Sequence, residues 1–330
     1  MIRAIGRDAA LAALVTIVVV AVVSFAPAPQ ASRFDGDLHD FGHVLVFGVM
    51  GLMLSRTLRR AFTPAPRRRL VTLASLAAGL VFGYGTEYAQ GFLGGTPSWG
   101  DVARDMLGCA VGSCAAFALE RSATPGARRV FWTAALLGIV VGGGSLATTL
   151  LDYRARDALF PVLLDSAEPN SRSFVAAFDS TLRVEPVPDD LRPLDANLAA
   201  RGTPAIRVPL DRGNWPGLTL TEPVRDWRGW RALVIELANP TDAPLRIEVR
   251  VNDRLHDNRF EDRYNRGVEL PARSRGRFEF PLAEIERAPQ GRRMDLTDIA
   301  KLVIFHGGPA PGRAFYVERV SLVRELAAPT

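Results

Sequence analysis

The sequence predicts a multi-domain protein, in which an α-helical transmembrane bundle of five spans precedes an antiparallel β-sandwich. Two observations lead to this expectation. Residues 9–151 consist of long apolar blocks separated by short loops, whereas residues 154–330 mix polar and apolar residues in short runs. The overall apolar content of 48% is ordinary and conceals this division, and a chain of 330 residues is long enough for two domains.

Five apolar blocks are each close to the roughly 20 residues that an α-helix needs to cross a bilayer. They lie at about 9–27, 40–56, 70–92, 102–119 and 130–151. Arg3 and Arg7 precede the first block, as basic residues precede the apolar core of a signal peptide. Its apolar run is longer than a usual signal core, so we interpret the block as a membrane anchor. The predicted transmembrane domain therefore covers residues 1–152, a linker covers 153–172, and the sandwich covers 173–325.

Arginine placement predicts the orientation of these spans. Arginines are concentrated before the first span, between the second and third, and between the fourth and fifth, whereas the other two connections contain only Arg33. Because basic residues accumulate in cytoplasmic loops, we expect the N-terminus in the cytoplasm and the sandwich outside the inner membrane. The net charge of +5 arises from these short loops and not from a basic domain, so nucleic acid is not an expected partner.

Ionisable residues and one glutamine interrupt the apolar blocks at the predicted outer ends of three spans. They form the candidate membrane site: Asp40, His43, Glu87, Gln90, Asp101 and Asp105. An ionisable group at such a depth is costly unless it faces a bundle interior or a wet cavity. The alternative is that these residues reach interfacial water, with Asp101 as a helix N-cap. Gly108 and Gly112 share a helix stripe with Asp105, and Gly83 lies one turn before Glu87, so we expect close helix packing there.

The order of these motifs resembles the VanZ-like membrane family. That family carries an acidic residue and a histidine at the start of one span, E-x-x-Q at the end of another, and D-x-x-x-N-x-x-G after a short loop. The matches over about residues 30–120 are Asp40, His43, Glu87, Gln90, Ser98, Asp101 and Gly108. Asp105 stands where the family usually has asparagine, and Pro97 where a loop arginine is common. The resemblance implies a fold and a membrane location, but no established chemistry.

From Ser173 onward the sequence changes to short alternating runs rich in β-branched and aromatic residues. Eight runs occur: SFVAAF, AIRVPL, LTL, ALVIELAN, LRIEVRVND, RFEFPL, AKLVIFH and FYVERVSLV. This pattern, punctuated by Pro, Gly, Asn and Asp, is typical of an antiparallel sandwich. The segments DWRGWRALVIELANP, VRVNDRLHDNRFEDRYNR and RRMDLTDIAKLVIF resemble the galactose-binding-like jelly rolls of carbohydrate-binding modules. That resemblance implies a glycan-binding role.

A polar loop between two of these strands is the candidate glycan-binding site. It contains Asp253, His256, Arg259, Asp262, Arg263, Tyr264 and Asn265. Such groups bind sugar hydroxyls, although a solvated hairpin would have the same composition. Trp215 is a further stacking candidate, whereas Trp227 and Trp230 flank a strand and are expected in the core. A structural Ca²⁺ ion is an open option that no D-x-D-x-D-G motif requires, and no other metal or cofactor is indicated.

The sequence contains no P-loop, Rossmann fingerprint, G-x-S-x-G or zinc motif. The favoured hypothesis is a cell-envelope protein whose outer module binds glycan, with membrane lipid and an envelope polysaccharide or peptidoglycan-related ligand as partners. One alternative is a membrane-embedded enzyme that uses Glu87, Asp101 and Asp105 as acid and base. The other is a proton-linked carrier, which the absence of an inverted repeat disfavours. Catalysis stays open because no nucleophile or metal set accompanies the carboxylates.

Overall fold

The chain divides into a helical unit, Met1–Leu151, and a sheet-rich unit, Asp152–Thr330. The computed structural model describes residues 32–62, 67–92, 97–195 and 204–324. The first predicted span, 9–27, lies outside the described residues. Residues 153–172, which we expected as a linker, contain the end of a helix and a strand that joins one of the sheets.

Five consecutive helices begin the described part of the chain. They are α1 (Arg33–Ala61), α2 (Arg68–Phe92), α3 (Trp99–Ala118), α4 (Pro125–Gly142) and α5 (Gly144–Leu159). The side chains of Ser32, Ser98 and Thr124 each accept a hydrogen bond from the backbone N–H three residues later, and so satisfy donors at the starts of α1, α3 and α4. Helix α3 is central, because it packs against α1, α2 and α4.

The structure does not support five spans. Within the described residues, two helical segments are long and apolar enough to cross a membrane, Arg33–Ala61 and Arg68–Ala89. The predicted span 130–151 is instead two helices, α4 and α5, bent by 49°, which give a third candidate if the pair forms one span. Helix α3, predicted as the span 102–119, carries three charged residues near its start and is buried largely by its neighbouring helices. Apolar content alone does not distinguish a helix surrounded by protein from one surrounded by lipid.

Glycines allow α3 to pack closely against α1 and α2, which confirms the predicted small-residue contacts. A Cβ atom on Gly112 would lie only 1.9 Å from the backbone oxygen of Gly48, and one on Gly83 would lie 2.6 Å from Oδ2 of Asp105. No larger residue fits at either position without separation of the helices. The second contact places Asp105 of α3 against the turn of α2 that precedes Glu87.

The second unit contains two sheets built from twelve strands in the described residues. The strands are β1 (Val162–Asp165), β2 (Val175–Phe178), β3 (Arg183–Pro186), β4 (Arg192–Pro193), β5 (Pro204–Pro209), β6 (Gly217–Leu220), β7 (Ala232–Asn239), β8 (Leu245–Asp253), β9 (Tyr264–Leu270), β10 (Ser274–Pro281), β11 (Ile299–His306) and β12 (Ala314–Val323), with a short helix α6 (Leu282–Arg287). One sheet has the order β3-β5-β12-β7-β10-β4, with β1 also paired to β12, and the other has the order β2-β6-β11-β8-β9. All pairs are antiparallel except the two-residue pair of β4 with β10, which corrects the expectation of a purely antiparallel fold.

One core cluster draws its residues from both sheets, as the alternating runs predict. On β8 the side chains of Leu245, Ile247, Val249 and Val251 are almost completely buried, while the intervening polar residues project from the opposite face. Trp227 is fully buried and donates from Nε1 to the carbonyl oxygen of Val224 at 2.7 Å, which confirms its expected core position. All eight predicted runs contain strands, whereas β1, β3, β4 and β9 were not predicted.

Candidate functional sites

A hydrogen-bonded pair of ionisable side chains lies inside the helical unit. Nδ1 of His43 on α1 is 2.8 Å from Oδ1 of Asp105 on α3, and the two side chains are 2% and 0% exposed. Nε2 of His43 and Oδ2 of Asp105 are buried and have no hydrogen-bond partner among the described residues. Because an unsatisfied buried polar group costs about 1–3 kcal/mol, both atoms would gain from one further hydrogen bond.

Glu87 on α2 is hydrogen-bonded to the residue that precedes α3. Its Oε2 accepts a hydrogen bond from the backbone N–H of Ser98 at 2.6 Å, while its buried Oε1 has no partner among the residues described. A cavity of about 240 Å³ lies beside the carboxylate. Its lining residues are Tyr84, Glu87, Tyr88, Pro97, Ser98, Trp99 and Val102. The cavity therefore combines one carboxylate with mainly aromatic and apolar walls.

Arg104 joins the two other acidic residues of the predicted membrane site. Its guanidinium nitrogens are 2.6 Å from Oδ1 of Asp101 and 2.5 Å from Oδ2 of Asp40. The N-cap of α3 is Ser98, so Asp101 does not have the capping role considered from the sequence. The sequence analysis missed Arg104, although its spacing of three residues from Asp101 in a helix was a usable signal. Gln90 lies in α2, but its side chain is outside the described residues.

A second cavity lies near the C-terminal ends of α1 and α3, away from the buried pair. Its volume is about 550 Å³. Its lining residues are Ser55, Arg56, Arg59, Arg60, Ala116, Leu119, Glu120, Arg121 and Ser122. Four arginines against one glutamate make this end of the bundle basic, as the distribution of loop arginines predicts.

Arg292 organises the loop that the sequence marks as a glycan-binding site. Its guanidinium contacts both carboxylate oxygens of Asp253, at 2.5 and 2.8 Å, and its Nε lies 2.5 Å from Oδ1 of Asp262. Both carboxylates are also acceptors for backbone N–H groups, of Asp295 and Asp257 respectively. The Arg292 guanidinium holds the pKa of Asp262 well below its usual range. The structure thus places both predicted carboxylates in a closed network that supports the loop.

The other predicted residues of this loop divide into buried and accessible groups. His256 donates from Nδ1 to the backbone oxygen of Asp262 at 2.8 Å, and the ring of Tyr264 is 5% exposed and packs edge-on against Phe280. Arg259 is exposed and pairs with Asp257 at 2.5 Å. Arg263 and Asn265 are partly exposed. Direct contact with a sugar is therefore sterically open to Arg259, Arg263 and Asn265.

One group of potential metal ligands occurs in the same loop, within the part of the chain that the structure describes. Single ligand atoms of His256, Asp257 and Asp262 lie within 4.8 Å of one another. However, the Asp262 carboxylate already accepts hydrogen bonds from Arg292 and a backbone N–H, and Nδ1 of His256 is engaged with a backbone oxygen. A Ca²⁺ ion here would have to compete with the guanidinium, so the donor set fits a cation poorly.

The outer face of the five-stranded sheet carries a second set of ligand-type side chains that the sequence analysis did not assemble. At one end, the rings of Phe178 and Trp215 each contact Phe305 edge-on, with centroids 6.0 and 5.9 Å apart, and Trp215 is 52% exposed. Glu248 is the register partner of Phe305 on the same face, and Arg250, Asn252, Asn265 and Lys301 lie further along it. We call this set, together with the three rings, the outer face. Its members come from four strands and a loop, so only the sheet register brings them together.

Comparisons with known proteins give no family for the chain. No protein-family model matches it, and no curated protein matches it, so the VanZ-like resemblance gains no support there. Among solved structures it is similar to an exo-beta-agarase, at 12% identity over 50% of this chain and 25% of that chain, with a TM-score of 0.39. It is also similar to a family 11 carbohydrate-binding module from Clostridium thermocellum in complex with a mixed-linked tetrasaccharide, at 10% identity over 47% of this chain and 92% of that module, with a TM-score of 0.33. At these values the similarity decides nothing about a ligand.

Proposed function

We propose that the protein is a multi-pass protein of the cell envelope whose sheet-rich unit binds glycan through its outer face. The observation that carries the proposal is the exposed ring of Trp215 beside Phe305, on the same sheet face as amide and guanidinium groups. Aromatic rings cover the apolar faces of sugars, and amides and guanidinium groups bind their hydroxyls. An exposed apolar patch bordered by polar residues marks an interaction surface, whereas a merely solvated face needs no ring there.

Loss of the Trp215 ring should weaken glycan binding at least about tenfold, because a central tryptophan commonly dominates such an interface. The purified full-length protein would be titrated calorimetrically with mixed-linkage β-glucan and with soluble peptidoglycan fragments, as wild type and as Trp215→Ala. Leu255→Ala is the matched control, because Leu255 is also exposed, at 68%, but lies outside the outer face. Equal binding of the wild type and Trp215→Ala to every glycan that binds would remove the outer face from the proposal.

The proposed orientation places the sheet-rich unit outside the inner membrane and the basic cavity on the cytoplasmic side. Support comes from the two or three candidate spans and from the four arginines around that cavity. Such a pocket between helices suits the headgroup of an anionic membrane lipid. An alkaline phosphatase fused after Thr330 should therefore be active, and a cytoplasmic fluorescent reporter at the same position should be dark. The opposite result for both reporters would reverse the orientation.

A second candidate function is acid–base chemistry, or grip of a lipid-linked ligand, in a VanZ-like membrane site. The observation that favours it is the set of three buried polar atoms without partners among the described residues, on His43, Glu87 and Asp105. The cavity beside Glu87 gives a polar headgroup an approach to one of these atoms. This candidate requires that Glu87→Gln, which keeps the acceptor for Ser98, folds normally yet fails to complement a deletion strain; full complementation excludes it.

A further inference from the structure

Three basic side chains surround Asn252 on the outer face. Lys301 is the register partner of Asn252 on β11. Arg250 precedes Asn252 by two residues on β8, so both project from the same face. Arg263 has extended backbone angles, φ −154° and ψ 165°, and lies one position beyond the last register pair of β8 and β9, which places it opposite Asn252 on the other side. Side chains at directly opposite positions start about 4.5–5.5 Å apart, and those two residues apart on one strand start about 6.6 Å apart.

The two arginines lack the counter-charges that are common elsewhere in this unit. Neither Arg250 nor Arg263 has a carboxylate within ion-pair distance among the described residues. Arg250 contacts Nε2 of His256 at 3.2 Å, where the ring nitrogen is the acceptor because a guanidinium group can only donate. Arg263 lies over the ring of Phe260, 5.0 Å from its centroid. Neither guanidinium group is therefore neutralised by a direct ion pair, and the one carboxylate that raises the pKa of Arg263, that of Glu261, acts from beyond ion-pair distance.

Buried atoms within the cluster are also unsatisfied. Asn252 is 5% exposed, and its Oδ1 has no hydrogen-bond partner in the described residues; the same holds for the buried Nε atoms of Arg250 and Arg263. Burial lowers the pKa of both arginines, and the charge of Arg263 lowers that of Arg250 further. Two cations thus repel each other where water is partly excluded, a cost that a bound anion would remove.

We propose that this basic cluster, Arg250, Arg263 and Lys301 around Asn252, binds the anionic groups of an acidic polysaccharide. The inference rests on the proposed glycan-binding function and adds the charge class of the ligand. Guanidinium groups bind carboxylate and phosphate through charge-assisted hydrogen bonds, which are stronger than those to hydroxyls. Lys301 and Phe305 are four residues apart on β11, or about 13 Å. One polymer can therefore contact both the rings and the cluster.

The test compares acidic and neutral polymers on the full-length protein in a zwitterionic detergent. The probes are polygalacturonate, which carries carboxylates, poly(glycerol phosphate), which carries phosphates, and neutral mixed-linkage β-glucan. Wild type should bind one of the acidic polymers at least about tenfold more tightly than the neutral one, and the preferred polymer identifies the anion. Arg250→Gln and Arg263→Gln should each weaken that binding about tenfold but weaken binding of the neutral polymer by less than about threefold, because glutamine keeps hydrogen-bonding groups for sugar hydroxyls.

Arg228→Gln is the control variant, because it removes the same charge from an exposed arginine that pairs with Asp226 outside the outer face. Unchanged thermal unfolding of all three variants verifies the fold. Equal affinity for acidic and neutral polymers, lost only in Trp215→Ala, would overturn the charge inference and leave the glycan-binding function intact. Loss of all polymer binding in the wild type would overturn both. Binding to phosphatidylglycerol vesicles alone, reduced in Arg250→Gln, would assign the cluster to lipid and also overturn the proposal.

Discussion

Arg292→Met should destabilise the sheet-rich unit by about 3 kcal/mol, because it leaves two buried carboxylates without their cation. The Asp253 side chain is fully buried and Asp262 is nearly so, whereas the methionine keeps most of the apolar length of the arginine. Urea unfolding, followed by near-ultraviolet circular dichroism, measures the change. The control is Arg228→Met, which breaks the exposed pair with Asp226 and should leave stability nearly unchanged, because solvent screens that pair.

The same contact predicts how stability depends on pH. Arg292 holds the pKa of Asp262 below the value of about 4 that an unfolded chain has. The stabilisation from this carboxylate is therefore complete above about pH 4 and is lost progressively as the pH falls below it. Unfolding of Asp262→Asn should accordingly depend less on pH between about 4 and 2 than unfolding of the wild type. An Arg292→Met protein as stable as the control, with an unchanged acid transition, would show that the network contributes nothing to the fold.

Removal of one member of the His43–Asp105 pair should cost about 3–5 kcal/mol, because the other would stay buried without its partner. His43→Leu and Asp105→Leu are the single variants, and the double variant replaces the pair by apolar side chains. Since an apolar pair is often close to neutral in stability, the double variant should recover most of the loss. Thermal unfolding in detergent, followed by helical circular dichroism, would be measured for the wild type, both single variants and the double variant, which together form a double-mutant cycle.

This cycle also separates a structural pair from a functional site. A structural pair predicts that the stable double variant complements a deletion strain as well as the wild type. A site that binds or transfers protons predicts a stable protein that fails to complement. If the single variants were as stable as the wild type, the pair would contribute nothing to stability, and the packing of α3 against α1 would rest on the glycine contacts and on the apolar cluster of Phe47, Met50 and Cys109.

Much of the fold follows from local sequence, because strands and buried helix faces have short periods. The eight alternating runs each contain a strand, and Gly83, Gly108 and Gly112 mark close helix contacts. The number of spans did not follow from hydropathy, since Arg104 and Asp105 in α3 are paired with Asp40 and His43 of α1. Asp101 is paired with Arg104 within α3. Strand β1 was missed for a similar reason: its four residues are defined by pairing with β12, more than 150 residues later.

The candidate sites show the same limit. Proximity of His43 and Asp105 could be predicted, because the arginine pattern assigns both residues to the same end of the predicted bundle, and the structure brings them to 2.8 Å. The structural role of the Asp253–Asn265 loop could not be predicted, because Arg292 lies outside that segment. Arg292 binds the carboxylates of Asp253 and Asp262, which therefore support the loop and are not available to a ligand. The outer face depends on the register of β8, β9 and β11, and a shift of one residue would turn Arg250 and Lys301 toward the core.

The position of β12 in its sheet has a consequence for the order of events during synthesis. This strand comes last among the described strands, yet it lies between β5 and β7 and also pairs with β1. Those three strands have no common neighbour until residues 314–323 have left the ribosome. Until β12 is synthesised, the earlier strands of this sheet are therefore incompletely paired and have exposed edges. Such an intermediate is vulnerable to aggregation and proteolysis, and a holding chaperone that covers strand edges would be its natural protection.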